Sequence, residues 1–204
     1  VKLDTNSLST ADQTDVNIVL KKEEAEVVTL NEEQQVALQL FLEDFKNHRY
    51  QTYLLHGITG SGKTQVYLAM IEEVVKSGRQ AILLIPEISL TFQNISRFQK
   101  RFGDRVTIIH SKLSKGEKYD QFERAKRGEV DVVIGPRSAL FAPFENLGLI
   151  IIDEEHENSY KSDNPPKYHA REVAIELASY HGACVVLGSA TPSIEAYYHA
   201  NNGH

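Results

Sequence analysis

Two short clusters carry side chains that could act together: Gly57, Ile58, Thr59, Gly60, Ser61, Gly62, Lys63 and Thr64, and about ninety residues on Asp153, Glu154, Glu155 and His156. The first fits G-x-x-x-x-G-K-[ST]. Glycines let a phosphate chain approach the backbone, and successive N–H groups with the following helix N-terminus surround it. Lys63 would reach the β and γ phosphates, and Thr64 would ligate Mg²⁺. The plainer reading is a Gly-rich turn ahead of a helix. Against it, Tyr53, Leu54 and Leu55 read as a buried strand before the loop, and Val66, Tyr67, Met70, Ile71, Val74 and Val75 recur at helical spacing after it. In the second cluster, apolar Leu149 to Ile152 delivers two carboxylates. Asp153 would hold Mg²⁺, directly or through water, and Glu154 would orient or deprotonate an attacking water. One carboxylate after a buried strand is commonplace; joined to the phosphate loop, the pair indicates hydrolysis of a nucleoside triphosphate.

His156 lacks an H-E-x-x-H partner, so its expected role is a polar contact linking the carboxylates to a neighbouring element. His56, His110 and His169 have no spacing that implies a shared metal, and read as structural. Gly188, Ser189, Ala190, Thr191, Pro192 and Ser193 follow the last apolar run; their hydroxyls would bond the Asp/Glu/His cluster from the side, or would simply start a capped helix.

Those clusters need elements to position them. Continuous apolar runs at 53–55, 81–85, 106–109, 132–134, 149–152 and 184–187 alternate mostly with helical patterns. Unbroken runs suit strands covered on both faces, so the chain reads as α/β with a mostly parallel sheet flanked by helices. In such a sheet ligands bind beyond the carboxyl ends of the strands, and every unusual cluster follows a run. A helix begins after Asn31, with Leu38, Phe41, Leu42 and Phe45 as its stripe. Residues 1–29 are polar and acidic, with a strand-like stretch at 16–20, and read as a linker or the tail of a preceding domain.

The length of 204 residues allows one sizeable α/β core, and 41% hydrophobic with 25% charged residues is ordinary for a globular protein. No apolar run approaches 18 residues and no secretory leader is visible, so the expectation is a cytoplasmic protein with no membrane contact. Cys184, the single cysteine, excludes a disulfide framework or a Cys-based zinc site within these residues. The net charge of −6 is uneven: residues 97–127 hold 10 Lys/Arg against 4 Asp/Glu. Charge alone favours a solvated helix face over a nucleic-acid surface there.

The combined set resembles the first RecA-like motor lobe of superfamily 2 DNA helicases, and most closely the PriA family of primosomal replication-restart helicases. The likeness runs from about residue 30 to the end. It rests on Leu30 to Gln34 (the nucleotide-base motif), Ile85 to Thr91 (motif Ia), Gly135 to Phe144 (motif Ib), Asp153 to His156 (motif II as DEEH), Ser159 to Lys161, Tyr168 to Arg171, and Gly188 to Ser193 (motif III). The resemblance implies a three-layer RecA-like P-loop NTPase lobe over 30–204, binding ATP and Mg²⁺, with Gln34 on adenine and Gly57 to Thr64 on the phosphates. Lys63, Asp153, Glu154 and His156 would serve catalysis. It implies that Glu87, Ser89, Arg137 and Ser138 meet single-stranded DNA, and that Tyr160, Lys161, Lys167 and Tyr168 form an aromatic-rich loop that senses it. Stacking plus phosphate contact would explain Tyr alternating with Lys there; the plain alternative is a Pro165–Pro166 turn with surface tyrosines. Pro136 lacks an N–H that could meet a phosphate. Forked DNA, primosome proteins and single-stranded DNA-binding protein are the implied partners. The second lobe, its arginine finger and the family's Cys-rich zinc segment are not in these residues, so a piece of a longer protein is expected. A P-loop switch or small-molecule kinase that never touches DNA is the rival reading.

Overall fold

A computed structural model describes residues 29–202, so the linker or tail expected over 1–29, with its strand-like 16–20, lies outside the described residues save for Thr29. The chain runs α1 (Glu32–Lys46), β1 (Thr52–His56), α2 (Lys63–Lys76), β2 (Gln80–Leu84), α3 (Phe92–Phe102), β3 (Val106–Ile108), α4 (Lys115–Lys126), β4 (Val132–Gly135), β5 (Leu147–Asp153), α5 (Ala170–His181), β6 (Cys184–Ser189) and α6 (Ile194–Asn202). Each expected apolar run is a strand. They form one sheet in the order β1-β6-β5-β2-β4-β3. All five pairings are parallel, as the unbroken runs require; four of the five crossovers put an α-helix on a face, and β4 reaches β5 through a 3-10 turn at Arg137–Phe141.

Side chains alternate between two cores. Ala81, Leu83, Val132, Ile134, Leu149, Ile151, Cys184 and Val186 pack with α1, α2 and α3, through Phe41, Met70, Ile71 and Phe98 among others. Ile82, Leu84, Val133, Ile150, Ile152, Val185 and Leu187 face Ala125 of α4, Ala174 of α5 and Ala196 of α6. The result is the three-layer α/β architecture expected. In α5 the buried positions are Ala170, Ala174 and Ala178, whose four-residue spacing gives a small-residue stripe that lets the helix lie close on β5.

Helix starts follow local chemistry. Asn31 and Gln34 form a capping box at α1, and Ser114 with Glu117 forms another at α4. Thr91 caps α3, and His169 caps α5 by accepting the Arg171 N–H. This last contact gives His169 the structural role read from sequence.

Helix α3, which follows the β2 exit, buries one side chain, Phe98, at 0% exposure. Phe98→Ala is expected to lower unfolding free energy by about 3–5 kcal/mol, read from equilibrium urea denaturation.

Candidate functional site

The carboxyl ends of β1, β6 and β5 lie side by side, and they carry the phosphate loop, the Ser/Thr segment and the carboxylates respectively. Register places His56 opposite Ser189 and Gly188 opposite Asp153. One strand separates the loop from the acidic pair, so the two are about 10 Å apart across the sheet.

Helix α2 starts at Lys63 on Gly62, whose φ of 82° is left-handed and open to glycine. It has no side-chain cap and no acidic residue in its first turn, whereas α1 opens with Glu32 and Glu33. Its free N–H groups and positive dipole end therefore face no protein carboxylate of that turn, as an anion site requires. Lys63 Nζ donates to Gly57 O at 2.8 Å within the loop. Gln34, read as the adenine contact, has both amide ends engaged: Oε1 accepts the Asn31 N–H at 3.0 Å, and Nε2 donates to Ser61 O at 2.8 Å. It therefore braces the phosphate loop against α1, a role the sequence did not reveal.

Asp153 is partly buried, and burial raises its carboxyl above the usual range; the Tyr67 hydroxyl opposes this, the Glu154 charge adds to it, and Lys63 opposes it. The influence of Lys63 puts the lysine and the carboxylate in one electrostatic neighbourhood. The Tyr67 hydroxyl donates to Asp153 Oδ1 at 2.9 Å. Burial, then the charge of Asp153, pushes this phenol well above its ordinary pKa, so it stays a donor. Tyr67 was legible only as part of the apolar stripe of α2. Glu154 adopts φ 48°, rare for a residue with a Cβ and costly by about 1–3 kcal/mol. That strain aims the second carboxylate off the strand's course.

His156 links one carboxylate of the pair, Glu154, to the Ser/Thr segment: Nδ1 shares a hydrogen bond with Ser189 Oγ at 2.7 Å and stands 3.7 Å from Glu154 Oε2, while Nε2 is 3.4 Å from Thr191 Oγ1. Glu155, unassigned in the sequence, is 2% exposed and accepts the Ser193 N–H at 2.6 Å, the Ser193 hydroxyl at 3.1 Å and Arg171 Nη1 at 3.4 Å. A buried carboxylate demands such partners. It fastens the end of β5 to α5 and to the start of α6.

Among oxygen donors, the Thr64 hydroxyl and the Asp153 carboxylate suit Mg²⁺, which takes one or two carboxylates and completes its shell with water and substrate phosphate. No group of three or more His, Cys, Asp or Glu fit for a metal exists among the described residues. The oxygen pair is thus the donor set to consider.

At the other exits the expected DNA contacts divide. Tyr160 is corrected: it is 1% exposed, and its hydroxyl donates to Asp153 O at 2.6 Å, so no base can stack on it. Glu87 is fastened too; Oε1 accepts the Ser111 N–H at 2.7 Å, which keeps the carboxyl below its usual pKa and anionic, unsuited to a phosphate. Ser138, Lys161 and Lys167 are exposed, and Ser89 and Tyr168 half-buried. Arg137 donates from Nη1 to Ser159 O at 3.2 Å and to Lys161 O, with its guanidinium 5.6 Å from the Tyr168 ring centre. It holds the 159–168 loop. In the basic stretch, Arg101 pairs with Glu72, Arg105 with Asp131, and Arg124 and Arg127 with Glu129, in line with the solvated-face reading. Tyr160→Phe would leave the Asp153 carbonyl without this donor; a loss of about 1–3 kcal/mol in unfolding free energy is expected by urea titration.

A family model described as "Type III restriction enzyme, res subunit" matches residues 27–194. The replication restart protein PriA of Bacillus subtilis (strain 168) is 54% identical over 178 residues, covering 87% of this chain and 22% of that protein. The PriA of Haemophilus influenzae is 42% identical over 203 residues, 100% of this chain and 27% of that protein. This chain thus spans about a quarter of the length of those relatives. Among solved structures, RecG bound to a three-way DNA junction matches with a TM-score of 0.64 and 25% identity, over 86% of this chain and 23% of that one. The UvsW helicase from bacteriophage T4 shares the fold, with a TM-score of 0.55 and 16% identity, over 79% of this chain and 52% of that one. The RecA-like lobe architecture and the PriA likeness read from the motifs are therefore both borne out. A match over residues 27–194 makes the chain a member of the family of the type III restriction enzyme res subunit, and over this span it is similar to PriA replication restart proteins.

Proposed function

We propose that residues 30–204 are the ATP-binding motor lobe of a 3′ to 5′ DNA helicase that remodels stalled or abandoned replication forks and supports primosome assembly. The observation that carries this reading is the direct hydrogen bond between Tyr67, on the helix that begins at Lys63, and Asp153, at the end of a strand two places away. It holds the phosphate loop and the carboxylates as one unit.

In this reading Gly57 to Thr64 cradle the triphosphate and Lys63 leaves Gly57 O for it. Adenine lies beside Gln34. Bound Mg²⁺ would neutralise charge on the phosphates, with Thr64 and Asp153 as its protein ligands. Glu154 orients the attacking water, and His156 carries that position to Ser189 and Thr191. Ser89, Arg137 and Ser138 face the DNA strand beside Lys161, Lys167 and Tyr168, which lie in the loop held by Arg137. Single-stranded and forked DNA are the substrates; primosome proteins and single-stranded DNA-binding protein are the partners of the longer protein, acting in the cytoplasm. No described helix is long and apolar enough to cross a membrane.

The chain by itself should bind ATP with Mg²⁺ yet turn it over slowly, since an arginine finger from a second lobe is worth about 10³ to 10⁵ in rate. Efficient duplex unwinding by the chain alone, in a fluorescent strand-separation assay, would refute the two-lobe reading. In the longer protein, Glu154→Gln should lower kcat about 10²- to 10⁴-fold without weakening ATP binding. There too, Lys161→Ala should weaken single-stranded DNA binding at all sequences and reduce the slope of log affinity against log salt by about 1, measured by fluorescence anisotropy.

A further inference from the structure

The helix of the phosphate loop reaches the carboxylate strand through one side chain. Tyr67 lies three residues after Thr64 and four after Lys63, on the same side of α2, and helical side chains lean toward the N-terminus. Its phenol therefore extends back toward the loop. The ring is 1% exposed, and its hydroxyl ends on Asp153 Oδ1. The path is open because position 188 is glycine: a Cβ there would lie 1.6 Å from the Tyr67 hydroxyl oxygen and 2.8 Å from the ring carbon bearing it. Gly188 is also the residue of β6 paired with Asp153. Three elements thus meet at one hydrogen bond, and a phenylalanine could fill the same ring volume without making it.

We propose that Tyr67 is a positioning residue for the magnesium carboxylate: its hydroxyl holds Oδ1 of Asp153, leaves Oδ2 for the ion, and so sets metal affinity rather than nucleotide affinity. The proposal deepens the ATP-binding reading above and rests on it. Tyr67 touches neither the phosphates nor the ion in this role. A partner that orients a metal ligand typically governs affinity for the metal by 10- to 100-fold.

The test is binding of the fluorescent nucleotide mant-ADP to this chain, titrated in EDTA and again across a Mg²⁺ series. With Tyr67→Phe, affinity in EDTA should stay within about twofold of the unsubstituted chain, while the Mg²⁺ concentration for half-maximal tightening should rise at least about tenfold. Tyr53→Phe, which removes a hydroxyl bonded to Asp44 away from the loop, should leave both quantities unchanged. On an Asp153→Asn background, Tyr67→Phe should add no further loss of the Mg²⁺ response. An unaltered Mg²⁺ midpoint in Tyr67→Phe, or an additive loss beside Asp153→Asn, would overturn the proposal and leave Tyr67 as core packing. If the unsubstituted chain bound mant-ADP with no Mg²⁺ response at all, the functional reading itself would fall instead.

Discussion

A carboxylate at the end of a strand packed on both faces is stable as an anion only where hydrogen bonds replace the water it has lost. Asp153 is placed in that position by β5, and the Tyr67 hydroxyl supplies the bond. Much of the surrounding order follows from this contact. Helix α2, which packs on β2 and β5, must lie at a fixed height for the phenol to arrive, and residue 188 must lack a side chain. Because Lys63 and Thr64 sit one helical turn before Tyr67, their place relative to the acidic pair is fixed by the same contact. The phosphate loop is consequently not a free turn ahead of a helix. Its distance from the carboxylates is determined by a covalently rigid ring.

Asp153 is held from a second side as well. Its main-chain carbonyl accepts from Tyr160, and Tyr160 lies between Ser159 and Lys161, whose carbonyls accept from Arg137. Two tyrosines, one from each side of the sheet, thus converge on one residue at a strand end. The chain of contacts from Arg137 through 159–161 to Asp153 joins the exit of β4 to the exit of β5. Glu155 reinforces the same corner through Ser193 and Arg171. The strained backbone of Glu154 is tolerated inside this frame because both its neighbours are fastened.

The architecture was legible because buried parallel strands leave unbroken apolar runs, and because ligand-bearing residues gather where such runs end. The placement of the candidate residues was legible in the same way, since Lys63 stands at the start of α2 and Asp153 at the end of β5, where the spacing of the apolar runs put them. What the tips of amphipathic side chains meet was not. Tyr67 fits an apolar stripe, and periodicity reports its face but says nothing of a hydroxyl that bonds 86 residues away. Tyr160 beside a lysine looked outward, yet its 3-10 turn rolls the ring inward while Lys161 stays exposed. Gln34 and Arg137 were given ligand contacts by the family resemblance. Each is also a donor to carbonyls of its own chain, a choice that only the folded loop geometry decides.

Those internal bonds bear on how tightly the site can hold a ligand. Lys63 donates to Gly57 O, so a phosphate that takes the ammonium replaces an existing hydrogen bond and does not add one to an unbonded group. The gain is then the difference between a charge-assisted bond to phosphate and a bond to a neutral carbonyl. In return the loop is ordered before the ligand arrives, which lowers the entropy that binding must overcome. Gln34 contributes to the same trade by fastening Ser61 O to α1 from outside the phosphate path. Pre-ordering and bond replacement thus act in opposite directions on any phosphate the loop would take.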